Sequence, residues 1–595
     1  MAENCNSDSG VDCAIYAEPG VSRPKLRIGL MLDSLSQPAW KAKVIADIAK
    51  APYLELALVM LNDRPAPKKK SFFAKIKALW PTFLFSLYVK LDNKFHRSPQ
   101  EDAFQDVDMT SLLENVPLIK VEAIEKKFVD RFSETDVEKV KAAKLDVLLR
   151  FGFRIIKGEI LNTARFGVWS YHHGDNREYR GTPPLFWEMY ERNPISGTVL
   201  QILNEQLDGG RVIYRSSSAT HFTSLYCNQN PIYWKTAEFI PRRLRELYTF
   251  GWEYIERLPT YSESIRYEKP IYKTPRNSQM LVFFYRLAGR VVGAAKRRLR
   301  AEQWMLTVQE VGESDATTSG HLLVIRPPRD RFYADPFLFS HQGRDFLFFE
   351  EFLHPGGKGV ISCLELTEGK PSPPKIVLER AFHLSYPFLF HWGKHVFMMP
   401  ETKGNSTVEL YRAVDFPERW QFDRILLSGV KAVDPTLLEH DGKFWLFVCV
   451  TVPRARPSEE LFLFFAETPF GPWHAHPMNP VVSDVRNARP AGRILSQDGK
   501  LLRPAQDCSL RYGYRIRLNS IEELSETTYR ESPCGEIGSN LIENTLATHT
   551  VSENDSYRVL DALCSVRKSL WWPFAGNRSA SMQTEYVATR VQQTL

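Results

Sequence analysis

The stretch 332–351, FYADPFLFSHQGRDFLFFEE, reads as an Asp-Pro step, an apolar strand, a short Gly turn and a second apolar strand. The same phrase returns at 384–401 (LSYPFLFHWGKHVFMMPE), 432–450 (AVDPTLLEHDGKFWLFVCV) and 488–507 (ARPAGRILSQDGKLLRPAQD). Pro336, Pro387, Pro435 and Pro490 stand 51, 48 and 55 residues apart. A period near 50 residues with a hairpin in each repeat is a signature of a β-propeller. With the less regular strands VISCLEL (360–366) and ELYRA (409–413), the region 315–540 is expected to form five blades. The polar segment 541–595 reads as a loosely ordered tail.

Propeller blades surround a central channel with their innermost strands, so side chains equivalent by repeat converge at its mouth. Asp335, Glu351 (with Glu350 beside it), Glu401, Asp434 and Asp507 are therefore candidate substrate-binding residues. The plainer account is that Asp-Pro opens each repeat because Asp bonds a turn and Pro starts an edge strand. An aromatic content of 12% suits stacking on sugars and equally suits strand packing.

Upstream the texture differs. RIGLML, PAWKAKVIADIAK and LELALVMLN alternate strand, helix and strand over 27–62; VEKVKAAKLDVLLRFGFRII runs a helix into a strand, and ARFGVWSYHH adds another. This alternation predicts an α/β open, mainly parallel, Rossmann-type sheet over 27–265, with sites at the carboxyl ends of its strands. One such end carries WSYHHGDNREYRG (169–181). A metal cluster of His172, His173 and Asp175 is disfavoured, because adjacent strand residues point to opposite faces. No metal site is expected.

Over 145–213 the order of LDVLLRFG, ILNTARFGVWSYHH, YRG and SGTVLQILNEQLDGG resembles the formyltransferase family that uses a 10-formyl-tetrahydrofolate donor. Its members include the methionyl-tRNA, glycinamide-ribonucleotide and sugar-amine enzymes. The resemblance spans about 27–240. It implies that His172 is the family histidine, that Asp208 is its aspartate, and that 10-formyl-tetrahydrofolate is the cofactor. The family asparagine is replaced by Ser170, and HGDN replaces the usual Leu-Leu-Pro. Formyl transfer needs a base for the amine proton and donors for the oxyanion, so His172, Asp208 and Ser170 are the catalytic candidates. His173, Arg180 and Gly181 are expected to line the substrate loop.

The propeller phrases resemble the five-bladed arabinanase and xylosidase glycosidases, which implies Asp335 as base, Asp434 as helper and Glu401 as acid. RFYADPF, FFEE, HLSYPF, GPW, HPMNPV, ARPAG and RPAQDCS resemble more closely the amino-terminal region of plant glucosamine inositolphosphorylceramide transferases. Nothing here resembles the glycosyltransferase domain of those proteins.

The bulk composition sets limits. A 595-residue chain with 43% hydrophobic and 25% charged residues is globular and multidomain. Mean hydropathy of −0.30, with no run near the roughly 18–20 apolar residues of a bilayer span, excludes an integral helical membrane protein. Residues 1–26 read as a flexible leader, not a signal peptide. Eight scattered cysteines fit reduced thiols and a cytoplasmic location. Two basic amphipathic stretches, an insertion at 68–97 and a linker at 266–314 with its helix at 280–304, either pack on the domains or touch the inner membrane surface. A tRNA substrate, and nucleic acid generally, is disfavoured, since a propeller replaces the family's carboxy-terminal barrel and no concentrated basic face is evident.

The combined expectation is formyl or related acyl transfer to an amino group of a sugar or glycolipid-linked glycan. The expected partner is a carbohydrate or a nucleotide- or lipid-linked amino sugar, bound by the propeller. The alternative is a glycan-binding or glycosidase-like propeller joined to a catalytically degenerate formyltransferase domain.

Overall fold

The computed structural model describes residues 15–64, 80–126, 128–206, 209–263, 269–297, 300–311, 321–538, 542–567 and 582–588. The chain divides into two compact units. One comprises Pro19–Arg290 with Val452–Arg456, the other Met1–Glu18, Val291–Thr451 and Pro457–Leu595.

The first unit is α/β. Strand β1 (Leu26–Leu32) leads into helix α1 (Ala39–Lys50), which buries Trp40, Ala42, Val44, Ile45 and Ile48. There follow β2 (Leu54–Asn62), α2 (Phe83–His96), β3 (Leu118–Val121), α3 (Glu134–Ala142), β4 (Val147–Arg150) and β5 (Val168–His172). The unit continues with β6 (Ile195–Ile202), β7 (Arg211–Ala219), α4 (Leu225–Thr236) and α5 (Phe239–Phe250), and α6 (Asn277–Arg297) follows. The sheet order is β7-β6-β5-β4-β1-β2-β3. The five strands from β3 to β5 are parallel, and β6 and β7 are antiparallel additions. β1 and β4 are near-continuous apolar runs because helices cover both faces of such a sheet. The order in which strands are added reverses between β1 and β4, and the crevice at the carboxyl ends of those strands is where open α/β sheets hold ligands.

The second unit is all-β. Its described strands form five antiparallel sheets. The first three begin at Arg331–His341, Ser385–Trp392 and Ala432–His440. In the fourth, Arg489–Pro490 and Leu495–Gln497 both pair with Lys500–Asp507. The fifth sheet joins the two ends of the region: Tyr557–Arg567 pairs along its length with Arg300–Glu310, flanked by His321–Arg326 and Gln583–Ala588. First strands of successive sheets touch, and Gly492 bridges to Val551, which closes the ring from fourth sheet to fifth.

Several boundaries differ from expectation. VISCLEL and ELYRA are third strands of the first two sheets, and the fifth sheet joins strands of the expected linker and tail to His321–Arg326 of the expected propeller region. Thr545–Ala547, Val551–Glu553, Tyr557–Arg567 and Gln583–Ala588 are thus paired strands, not loose chain. Within the expected leader, Ile15 and Tyr16 are buried; Asn479 Nδ2 donates to the Ile15 carbonyl at 3.0 Å, and Tyr16 meets Phe462 edge-on. In the basic insertion, 68–79 lie outside the described residues. No helix among the described residues is long and apolar enough to cross a membrane. The six described cysteines are free.

Candidate functional sites

In the α/β unit, Ser170 and His172 occupy one face of β5 near its carboxyl end and His173 the other, as strand alternation dictates. Ser170 is buried, and its hydroxyl accepts a hydrogen bond from Arg150 Nη1 at 3.0 Å. Arg150 also donates to the carbonyls of Phe153 and Arg154, so its guanidinium sits at the end of β4 beside the position expected to supply an oxyanion donor. The His172 Nε2 lies 2.9 Å from the Tyr179 carbonyl. The loop carrying that carbonyl folds tightly: a Cβ at Gly174 would lie 2.6 Å from the Tyr179 oxygen, so only glycine fits.

His173 lies flat on Tyr233, with ring centroids 3.8 Å apart, and bonds Thr236 Oγ1 at 3.2 Å. Burial, with His172 and Lys41 nearby, pushes its pKa down to about 3, so the ring is neutral at ordinary pH. It packs rather than titrates. Asp175 accepts from Arg177 and Arg215; burial alone would raise its pKa, but these guanidiniums hold it below the usual carboxylate range. Arg180 and Gly181 join the chain at Tyr272: Tyr272 N–H donates to the Arg180 carbonyl, and a Cβ on Gly181 would collide with the Tyr272 carbonyl oxygen. Asp208 lies outside the described residues.

Three groups at the crevice were not evident in the sequence. Asp33, just past β1, accepts from the Phe153 amide at 2.8 Å and from Asn62. Lys41 of α1 donates to the Phe151 carbonyl at 2.6 Å; burial lowers its pKa, Asp33 opposes that and Arg150 adds to it. Arg150 completes the set. Glu188 is a further buried acid, pushed up to about 8 by burial, with Glu191 and Asp175 adding to the shift.

The second cluster lies at the ring of first strands in the all-β unit. The residue before each proline of the first three repeats is left-handed, with φ of 50° at Asp335, 48° at Tyr386 and 52° at Asp434. At each of these places the pairing register with the second strand slips. A non-glycine residue held there is strained by about 1–3 kcal/mol, and such strain concentrates at functional sites. Asp434 is fully buried, bonded by Arg489 Nε at 2.5 Å and Nη2 at 3.2 Å and by Gln506 Nε2 at 2.8 Å. Asp335 accepts from Thr550 Oγ1 at 2.7 Å and lies 3.3 Å from His549, whose other nitrogen is 2.7 Å from Asp561. Asp335, His549 and Asp561 form a group close enough to share an ion. Tyr512, 45% exposed, stands over the Arg489 guanidinium at the edge of the cluster.

The electrostatics separate these acids. Burial raises Asp335 to about 6, with His549 opposing and Asp434 and Asp561 adding. Burial and Asp434 raise Glu401 to about 8 against the pull of Arg489. Glu350 is pushed well up by burial, Asp335 and Glu401. Two of the expected residues do not join them. Glu351 points to the other face of its strand and accepts from Arg331 and Ser362, so Glu350 takes its place. Asp507 is held by the Ser509 amide and Arg517, while its neighbour Gln506 reaches Asp434. The missed signal was spacing. Glu350, Glu401 and Cys449 each follow the pre-proline residue by fifteen positions.

A family sequence profile described as glucosamine inositolphosphorylceramide transferase 1, N-terminal, matches residues 325–548. The glucosamine inositolphosphorylceramide transferase 1 of Arabidopsis thaliana is 37% identical over 205 residues, 34% of this chain and 27% of that protein. This chain therefore spans little more than a quarter of that relative's length. Methionyl-tRNA formyltransferase of Prochlorococcus marinus (strain NATL2A) is 24% identical over 182 residues, 30% of this chain and 44% of the enzyme. Among solved structures, the Cellvibrio cellulosa α-L-arabinanase complexed with arabinohexaose overlaps 38% of this chain and 94% of its own, at TM-score 0.28 and 14% identity.

Proposed function

We propose that the α/β unit transfers a formyl or related acyl group to an amine of a sugar or glycolipid-linked glycan. In this reading the five sheets are the blades of a propeller that binds the carbohydrate. The observation that carries it is His172 at the carboxyl end of β5, two residues from Ser170 and beside the crevice of Lys41, Asp33 and Arg150. The similarity to methionyl-tRNA formyltransferase supports a folate-type donor, 10-formyl-tetrahydrofolate, acting as co-substrate.

The chemistry assigns each residue a task. The acceptor amine attacks the formyl carbon, a carbon–nitrogen bond forms, and the carbonyl oxygen gains charge. His172 accepts the proton the amine loses. Ser170 donates its hydroxyl hydrogen to the oxyanion, and Arg150, bonded to that hydroxyl, supplies the positive charge that the family's asparagine lacks. Collapse breaks the donor's carbon–nitrogen bond and returns a proton to the leaving nitrogen.

The test is turnover of 10-formyl-tetrahydrofolate with a panel of nucleotide-linked amino sugars, followed by tetrahydrofolate release. Activity that falls in His172→Ala and Asp208→Ala supports the reading; no binding of any folate overturns it.

A second reading has its own support. Glu401 at about 8 is largely protonated at neutral pH, while Asp335 at about 6 is largely ionised. Paired carboxyls with separated pKa values are the arrangement of glycoside hydrolysis, with Glu401 as acid, Asp335 as base and Asp434 as helper. Release of reducing sugar, lost in Glu401→Gln, distinguishes this from binding alone.

A further inference from the structure

Helices α2 and α6 present an apolar surface that no element among the described residues covers. They lie side by side within the α/β unit: Tyr88 packs edge-on against Phe283, and Asn277 accepts from the Leu84 amide while donating to the Trp80 carbonyl. Both rest on Phe186, which meets Phe85 at 5.2 Å and Phe283 at 5.3 Å. Their outward sides therefore look the same way. On that side Trp80 is 68% exposed, Phe83 48% and Phe95 75%, and on α6 Leu281 is 62%, Val282 42% and Tyr285 82%. The 277–290 stretch of α6 is apolar on its inner side too, through Met280 and Phe283. Large apolar side chains this exposed on two adjacent helices make a patch that calls for a cover.

The charge around the face specifies that cover. Across 80–97 and 271–290 there is one acid, Asp92, and it is buried. Lys90, Lys94, Lys273 and Arg276 are all exposed. Large exposed aromatic and aliphatic side chains on two segments that also carry exposed lysine and arginine and no exposed acid match the headgroup layer of an anionic bilayer. There apolar side chains enter the acyl boundary, tryptophan and tyrosine sit at the headgroups, and cations meet lipid phosphates.

We infer that the α2–α6 face docks the protein on an anionic lipid surface. The inference is independent of the reaction proposed above. It adds a place of action for it: an acceptor presented at a membrane lies within reach of a protein bound there.

The experiment is co-sedimentation of the full chain with vesicles of phosphatidylcholine alone or with roughly one-third phosphatidylserine. Wild-type protein is expected to bind the anionic vesicles, to prefer them to neutral ones, and to release as salt rises. The variant Phe95→Glu with Tyr285→Glu alters two side chains already mostly in solvent, so its thermal transition should match the wild type, and its partition should fall roughly tenfold or more. The variant Lys90→Glu with Lys94→Glu should weaken binding to anionic vesicles and leave the weaker neutral binding unchanged. Three results each overturn the inference: no wild-type binding to anionic vesicles, binding insensitive to both variants, or a wild-type dimer that the apolar variant makes monomeric without any vesicle binding.

Discussion

His172 and Asp434 both stand on strands that lead into a cluster of polar groups, yet the protein places them by different means. His172 occurs once, at the end of one parallel strand, and its ring nitrogen is fixed by one backbone carbonyl from a glycine-dependent loop. Asp434 sits at a position set by repetition, and it belongs to a buried network in which Arg489, Gln506, Glu401 and Asp335 act on one another. A side chain held by a loop can be removed with little effect on the fold. A member of a mutually compensating buried network cannot. The α/β site should therefore respond to mutation in activity, and the ring centre in stability.

The largest expected effect tests the second half of that contrast. Arg489→Ala strands Asp434 as a buried charge without its guanidinium partner, which typically costs about 3–5 kcal/mol. Chemical denaturation should show the loss, and a loss below about 1 kcal/mol would mean the network is not mutually dependent. His172→Ala should leave the unfolding midpoint unchanged and lower acyl transfer by roughly 10²–10⁴, the usual contribution of a positioned base. A fall in stability of similar size would erase the distinction. Ser170→Ala should cost about tenfold in turnover, the worth of one ordinary hydrogen bond, because the Arg150 charge remains.

The last contrast is in pH dependence, where the acids of the ring centre and His173 should slope in opposite directions. The pKa values of Glu401 and Asp335 rise on folding from 4.5 to about 8 and from 3.8 to about 6. Their contribution is complete below the unfolded values and is lost as pH climbs through the folded ones. His173 falls from 6.5 to about 3, so its contribution is complete above 6.5 and is lost as pH drops toward 3. Unfolding of the all-β unit should shift to lower temperature between about pH 5 and 8, and Glu401→Gln should flatten that slope. A slope unchanged in Glu401→Gln would remove Glu401 as its source.

How much of this was legible in the sequence follows the same divide. Repetition exposed the first strands: Pro336, Pro387 and Pro435 mark three of the sheets, and Asp335 and Asp434 fall where convergence placed them. The choice between Glu350 and Glu351 depends on register, and a bulge beside each left-handed residue shifts register in a way that apolar patterning conceals. The fifth sheet was hidden because Arg300–Glu310 pairs with Tyr557–Arg567, more than two hundred residues away, and neither strand carries the Asp-Pro phrase. In the α/β unit the parallel strands and His172 were visible as local motifs. Lys41, Asp33 and Arg150 were not, since only the strand order brings three separate segments to one crevice.

In the proposed function the α/β unit performs chemistry on an amine while the all-β unit binds carbohydrate. The most direct measurement compares formyl transfer to an amino-sugar acceptor in wild type, His172→Ala and Glu401→Gln. The account predicts that His172→Ala lowers kcat by at least about 10², whereas Glu401→Gln leaves kcat in place and changes only KM for a glycan-bearing acceptor. Full activity in His172→Ala together with abolished activity in Glu401→Gln would contradict it.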